Sequence, residues 1–417
     1  MKRRSFLHLL PSGLFLPSLA FGRGHKSIGE RKFLFVFCDG GWDSTMVFAP
    51  MFGNPHVFVD SQDTETSING LSLVDSPYRP TVRSFFEEWG QDCLILNGID
   101  FETVAHDRGK RLLMTGVSNG PDDWPAIISA SALESYTAPH LILSGPNYSS
   151  QFSGSILRMG KHGELDRLVR NSDHVGFVPN SHGEGLVEDY LKSRAESKLF
   201  SDAHAVRFQD NFIRSQDQLR DLINRSQTLD LFTEQNGEYG YSCNETFMGS
   251  ASIALDFFEQ GLSRCAIVQD EGYCRMRWDS HGDIFEQNWH YELLFEGLTD
   301  LMNELHTRQG TSGNSLAAET TVIVCSELGR HPALNEMGGK HHWPVGTAMI
   351  IGGVTGGRTI GGFSDQVLSR KIDPNSCDFS ESGEKLRPGH LGATLLTLAD
   401  IDSAEFVSES PLWGVLE

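Results

Sequence analysis

The sequence predicts an α/β fold: a three-layer α/β/α sandwich built on a mostly parallel sheet. Two observations carry this. Short, continuously apolar runs recur along the chain, as expected of strands buried on both faces. Longer amphipathic stretches separate them, the alternation that covers a parallel sheet with helices.

The apolar runs are Lys32 to Phe37, Cys93 to Leu96, His140 to Leu143, Cys265 to Val268, Thr321 to Val324 and Ala348 to Ile351. The helical stretches are Thr81 to Trp89, Ala105 to Met114, Pro125 to Leu133, Phe247 to Leu262 and Glu286 to His306. From about 184 to 245 the chain turns polar, rich in Gln, Arg, Asp and Ser, and reads as an inserted helical cap or arm. The glycine-dense segment Gly352 to Gly362 lacks the endings of a phosphate-binding loop, so a tight hairpin is expected there.

The first residues, MKRRSFLHLLPSGLFLPSLAFG, read as an export signal. Lys2, Arg3 and Arg4 form a charged start, and an apolar stretch from Phe6 to Leu19 follows, broken by Pro11 and Pro17. That stretch is too short and too interrupted to span a bilayer stably. Small residues near Ala20 place cleavage there, giving a signal peptide over 1–20 and an α/β domain over 21–417. Arg3-Arg4-Ser5-Phe6-Leu7 resembles the twin-arginine consensus, an address read by the twin-arginine export machinery rather than an anchor. A periplasmic or otherwise extracytoplasmic site of action in a bacterium is the expectation. No later segment is apolar and long enough to cross a membrane.

The 417 residues carry a net charge of −21, which argues against nucleic acid or anionic lipid as a partner. The seven cysteines are scattered, with no CxxC pair. Cys38, Cys93, Cys265 and Cys325 fall in or beside apolar runs and are expected to be buried thiols. A Cys243–Cys274 disulfide is compatible with the sequence, which does not determine it.

Ligands of open α/β sheets bind beyond the carboxyl ends of strands. Polar residues just after the apolar runs are therefore the site candidates. These are Asp39 and Asp43; Asp270 and Glu271, followed by Asp279, His281 and Asp283; Ser326, Glu327 and Arg330; then His341 and His342. Each alone reads as a turn or helix cap. Together they are the carboxylates and imidazoles that a divalent cation such as Zn, Ca, Mg or Mn takes. Gly116-Val117-Ser118-Asn119-Gly120 fits G-x-S-x-G, but a helical pattern precedes it and Pro121 follows, unlike a nucleophile elbow. Thr115 and Ser118 remain candidate nucleophiles if that helix end faces the site.

Several segments in fixed order carry a family resemblance. They are Phe37 to Pro50, His106 to Gly116, Trp278-Asp279-Ser280-His281, Ser326-Glu327-Leu328-Gly329-Arg330 and Gly338 to Gly357. With them the chain resembles the uncharacterised family of twin-arginine-exported proteins related to the alkaline phosphatase and sulfatase superfamily. Leu391 to Leu398 resembles that family's C-terminal helix. The resemblance implies an alkaline phosphatase-like sandwich and metal-assisted attack on phosphate or sulfate esters, small-molecule or glycan. It implies Asp39 or Asp43, Asp279, His281, Glu327 and His342 as metal ligands, with Arg330 facing the ester oxygens. Leu328 stands where a second imidazole is usual, so one metal, or a site without turnover, fits as well as two. A non-catalytic exported binding or envelope-assembly protein on the same scaffold is the alternative.

Overall fold

A computed structural model describes residues 30–160 and 243–416. The predicted export signal and nearly all of the predicted helical insertion lie outside the described residues.

Strand β1, Lys32–Cys38, is buried along its whole length. It is the hub of the sheet, pairing in parallel with β7 (Cys265–Asp270) on one side and β8 (Thr320–Cys325) on the other. Beyond β7 lie the three-residue strands β5 (His140–Ile142) and β6 (Ile156–Arg158). Beyond β8 lie β11 (Val345–Ile351), β4 (Cys93–Asp100) and β12 (Arg358–Gly361). The order of this eight-stranded sheet is β12-β4-β11-β8-β1-β7-β5-β6. Only β11 runs against its neighbours. Outside it, β2 (Thr64–Ile68) and β3 (Leu71–Asp75) form an antiparallel hairpin.

The period-2 geometry of the strands sends alternate side chains into two separate cores. In β1, Leu34, Val36 and Cys38 enter one core, with helices α1 (Pro80–Trp89), α4 (Met248–Glu259) and α5 (Glu286–Thr307). Phe33, Phe35 and Phe37 enter the other, with α2 (His106–Thr115), α3 (Trp124–Ala130) and α7 (Pro388–Leu398). A short helix, α6 (Leu316–Glu319), leads into β8. The architecture is thus the mostly parallel α/β/α sandwich expected from the alternating apolar runs.

The glycine-dense segment departs from expectation. It does not close a hairpin between β11 and β12. Both strands pair with β4, β11 antiparallel and β12 parallel. The turn therefore carries the chain over β4 to the sheet edge. It does so at Gly352, Gly353 and Gly357, whose φ angles are +76°, +79° and +62°. Four cysteines follow expectation: Cys38, Cys93, Cys265 and Cys325 are buried free thiols. Cys243 is bonded to Cys274, a pairing the sequence left open.

Candidate metal site at the carboxyl end of the sheet

The loops after β1, β4, β7 and β8 meet at one edge. Gly40, in the loop after β1, takes φ +127°, and a Cβ there would lie 2.5 Å from the backbone nitrogen of Asp279. Only glycine lets these segments touch. Gly109 plays the same part for α2. A Cβ there would lie 2.5 Å from the Glu327 carbonyl oxygen, so its absence lets the helix settle on the β8 loop.

That contact brings in His106, the first residue of α2. His106, Asp279 and His342 each present a ligand atom, all within 4.8 Å of one another. The Nε2 atoms of His106 and His342 are 3.6 Å and 3.1 Å from Asp279 Oδ1. His281 Nε2 lies 3.2 Å from the same oxygen and 2.8 Å from His342 Nε2. Ligands about 2.0–2.2 Å from one ion lie roughly 3–4 Å apart, so the set needs little adjustment to close on a cation.

What stands behind the imidazoles matters as much. His106 Nδ1 is 2.7 Å from Oε1 of Glu327, and His342 Nδ1 is 2.7 Å from the carbonyl oxygen of Val104. Both Nδ1 atoms face acceptors and so carry hydrogen, which turns both Nε2 atoms to the centre as ligands. Carboxylate or carbonyl support of this kind is usual behind a metal-binding histidine. His342 gets its placement from a two-stranded ribbon. Strand β10 (His342–Trp343) pairs with β9 (Gly329–Arg330), putting His342 opposite Arg330.

Electrostatics agree. The hydrogen bonds of His106 to Asp279 and then Glu327 outweigh its burial and push its pKa up to about 9. Burial works to raise the Asp279 pKa, but hydrogen bonds from His106, His342 and Arg330 prevail and hold it well below the usual carboxylate range. Burial first, and then the charges of Arg330 and its histidine neighbours, lower the pKa of His281 against the pull of Asp279. A preformed anion ringed by imidazoles fits a divalent cation, which would take the place of the His106 Nε2 proton. The nitrogen-rich donor set suits a Zn-like ion better than Ca, Mg or Mn.

The other sequence candidates lie elsewhere. Glu327 is fully buried and sits behind His106, accepting also from the backbone N–H of Gly40. Asp39 pairs with Lys110, 2.5 Å away. Asp43 caps the short 3-10 turn Ser44–Met46 and pairs with Lys340 at 2.6 Å, both side chains buried. Arg330 has every nitrogen engaged: Nε to Gly41 O, Nη1 to Lys340 O, and Nη2 to the carbonyls of Gly40 and Trp278 and to Asp279. It positions Asp279 and the β1 loop rather than reaching outward to an ester.

Thr115 and Ser118 are remote from the cluster. Nine residues of α2, about 13 Å of helix rise, separate Thr115 from His106. The Thr115 hydroxyl donates to the backbone of its own helix end, and Gly116 at φ +75° ends the helix. The G-x-S-x-G run is therefore a helix stop.

His106 was missed by sequence reasoning. The rule that found the others, polar residues after an apolar strand, also covers the end of β4. That strand runs on to Asp100, through Asn97-Gly98, where the sequence suggests a stop.

No curated protein matches the chain. A sequence profile of the family described as "Protein of unknown function (DUF1501)" matches residues 181–407, a span that holds Asp279, His281, Glu327 and His342. Among solved structures, a protein in the alkaline phosphatase superfamily from Vibrio parahaemolyticus is 12% identical, with a TM-score of 0.38, over 90% of this chain and 67% of that one. A protein solved with a neocarrahexaose is 10% identical, with a TM-score of 0.42, over 92% of this chain and 76% of that one. A third, solved with its substrate D-glucosamine-2-N,6-O-disulfate, is 10% identical, with a TM-score of 0.37, over 92% and 79%.

Proposed function

The chain belongs to this family of proteins of unknown function, and we propose that it is an exported, metal-dependent hydrolase of phosphate or sulfate esters. One observation carries the reading. Three side chains from three separate segments, His106 at the start of α2, Asp279 in the loop after β7 and His342 in β10, converge with both imidazoles oriented from behind. The resemblance of its motifs to the alkaline phosphatase and sulfatase superfamily supports the ester class. The N-terminal twin-arginine-like run supports export.

His106, Asp279 and His342 would hold the cation, with His281 as a further donor. A divalent cation there would supply a Lewis acid for the ester oxygen and a lowered pKa for water. Glu327 keeps His106 in the tautomer that presents Nε2. Arg330 keeps the Asp279 carboxylate in place. The half-exposed Asp279 and His281 leave the centre open to a polar substrate.

The remoteness of Thr115 and Ser118 favours a second reading, a binding protein that holds a metal without turnover. Elemental analysis of the purified protein, with a panel of phosphate and sulfate esters, separates the readings. The hydrolase reading expects about one divalent ion per chain and ester turnover, both lost in His106→Ala. Metal without turnover of any ester leaves the binding protein, and absence of metal removes both. A gentler change tests the supporting carboxylate. Glu327→Gln is expected to weaken metal binding about 10–100-fold while the fold persists, read by competition with a chelator.

A further inference from the structure

The loop after β7 is held in an unusual conformation. Cys274, Arg275 and Arg277 all take left-handed backbone angles, with φ of 50°, 58° and 65°. Such angles are costly for residues other than glycine and persist where the surroundings over-determine them, often at functional positions. Here the surroundings do so. Cys274 is bonded to Cys243, Arg275 pairs with Glu245 at 2.9 Å, and the Arg277 N–H donates to Glu271 O at 2.8 Å.

This conformation places Arg277 at the rim, its side chain 63% exposed, two residues before Asp279. Its charge partner is distant, with Nη1 3.8 Å from Asp39 Oδ2. The other oxygen of Asp39 takes Lys110 at 2.5 Å. Lys110 is one helical turn from His106, hence beside it on the same face of α2. The Trp278 N–H donates to the Asp39 carbonyl oxygen at 2.9 Å, tying this group to the loop that bears Asp279. Two cations thus share one buried carboxylate alongside the metal cluster, a local positive spot on a chain of net charge −21.

We propose that Arg277 and Lys110 form a second anion subsite beside the metal cluster. It takes an oxyanion group, such as a carboxylate, sulfate or phosphate, carried by the part of the substrate that does not react. The inference rests on the hydrolase reading and narrows it to esters with a second negative group a few bonds from the reacting one. Asp39 orients the two cations. Arg277 supplies a forked donor set matched to an oxyanion and still largely open to solvent.

Calorimetric titration of the purified protein with methanesulfonate and with propane-1,3-disulfonate tests this. Wild type is expected to bind the double anion about tenfold more tightly. In Arg277→Gly the preference falls to near parity, and Arg277→Lys keeps part of it. Glycine also accepts φ 65° without strain, so Arg277→Gly is expected to melt no lower than wild type. A full preference in Arg277→Gly, or none in wild type, overturns the subsite. Ester turnover is read separately. Turnover without the double-anion preference removes the subsite and keeps the hydrolase. The preference without turnover of any ester does the reverse.

Discussion

Lys340→Met is expected to unfold at a urea midpoint lower than wild type by on the order of 1 M. The Lys340 and Asp43 side chains are 0% and 1% exposed, and their charged atoms are 2.6 Å apart. Removing the lysine leaves the Asp43 carboxylate buried without its counter-charge. Breaking a buried pair in this way costs about 3–5 kcal/mol. Among the described residues the hydrogen bonds left to the carboxylate are those from the Thr45 N–H and hydroxyl, at 3.0 Å and 2.6 Å. Asp43→Asn combined with Lys340→Met is expected to recover most of the loss, because neutral Asn can still cap Thr45 and no charge is stranded. The double variant also separates this pair from the metal cluster, since it should retain metal like wild type. Loss of metal in a folded double variant would return Asp43 to the ligand set.

Acid lability traced to one histidine is the second large effect. His140 opens β5, is fully buried, and has no hydrogen-bond partner for either ring nitrogen among the described residues. Burial, and then the charge of Arg158, lowers its pKa to about 3. An unfolded histidine titrates near 6.5. Between pH 6.5 and about 3 the unfolded chain therefore binds a proton that the folded chain refuses, and stability falls as pH falls. By pH 4.5 this amounts to about 3 kcal/mol. His290 adds in the same direction. Its pKa is lowered to about 4, chiefly by burial, and its Nδ1 already accepts the Tyr273 N–H at 2.8 Å. His140→Phe is expected to match or exceed wild-type stability at pH 7, since it removes two unsatisfied polar atoms. Its advantage should widen steadily in urea melts from pH 6.5 down to 4.5. A constant difference across that range would refute the assignment.

Elements whose character is local were legible in the chain. The run from Lys32 to Phe37 is apolar at nearly every position because β1 is buried on both faces, and such a run has few other readings. The helix expected from Glu286 to His306 is observed as Glu286–Thr307 for a similar reason, its apolar stripe being long. Boundaries slipped where geometry overrode pattern. The Pro125 to Leu133 stretch is helical only over Trp124–Ala130, started by the Asp123 side chain, which accepts from the Ala126 N–H. Strand β11 begins at Val345 rather than Ala348, its pairing with β4 continuing past a bulge at Gly346/Thr347.

At the site, the sequence by itself determined which residues end strands and so reach the carboxyl edge of the sheet. Asp279, His281 and His342 follow from that rule, and the structure brings them together. It could not rank one strand-end carboxylate against another. Asp39, Asp43, Asp279 and Glu327 share the same local chemistry. Their roles differ because Lys110, Lys340, Arg330 and His106 reach them from distant parts of the chain. Gly40 and Gly109 set how closely those parts approach. Ligand, buried ion-pair partner and support for a histidine are properties of neighbours tens or hundreds of residues away, which only the tertiary structure decides.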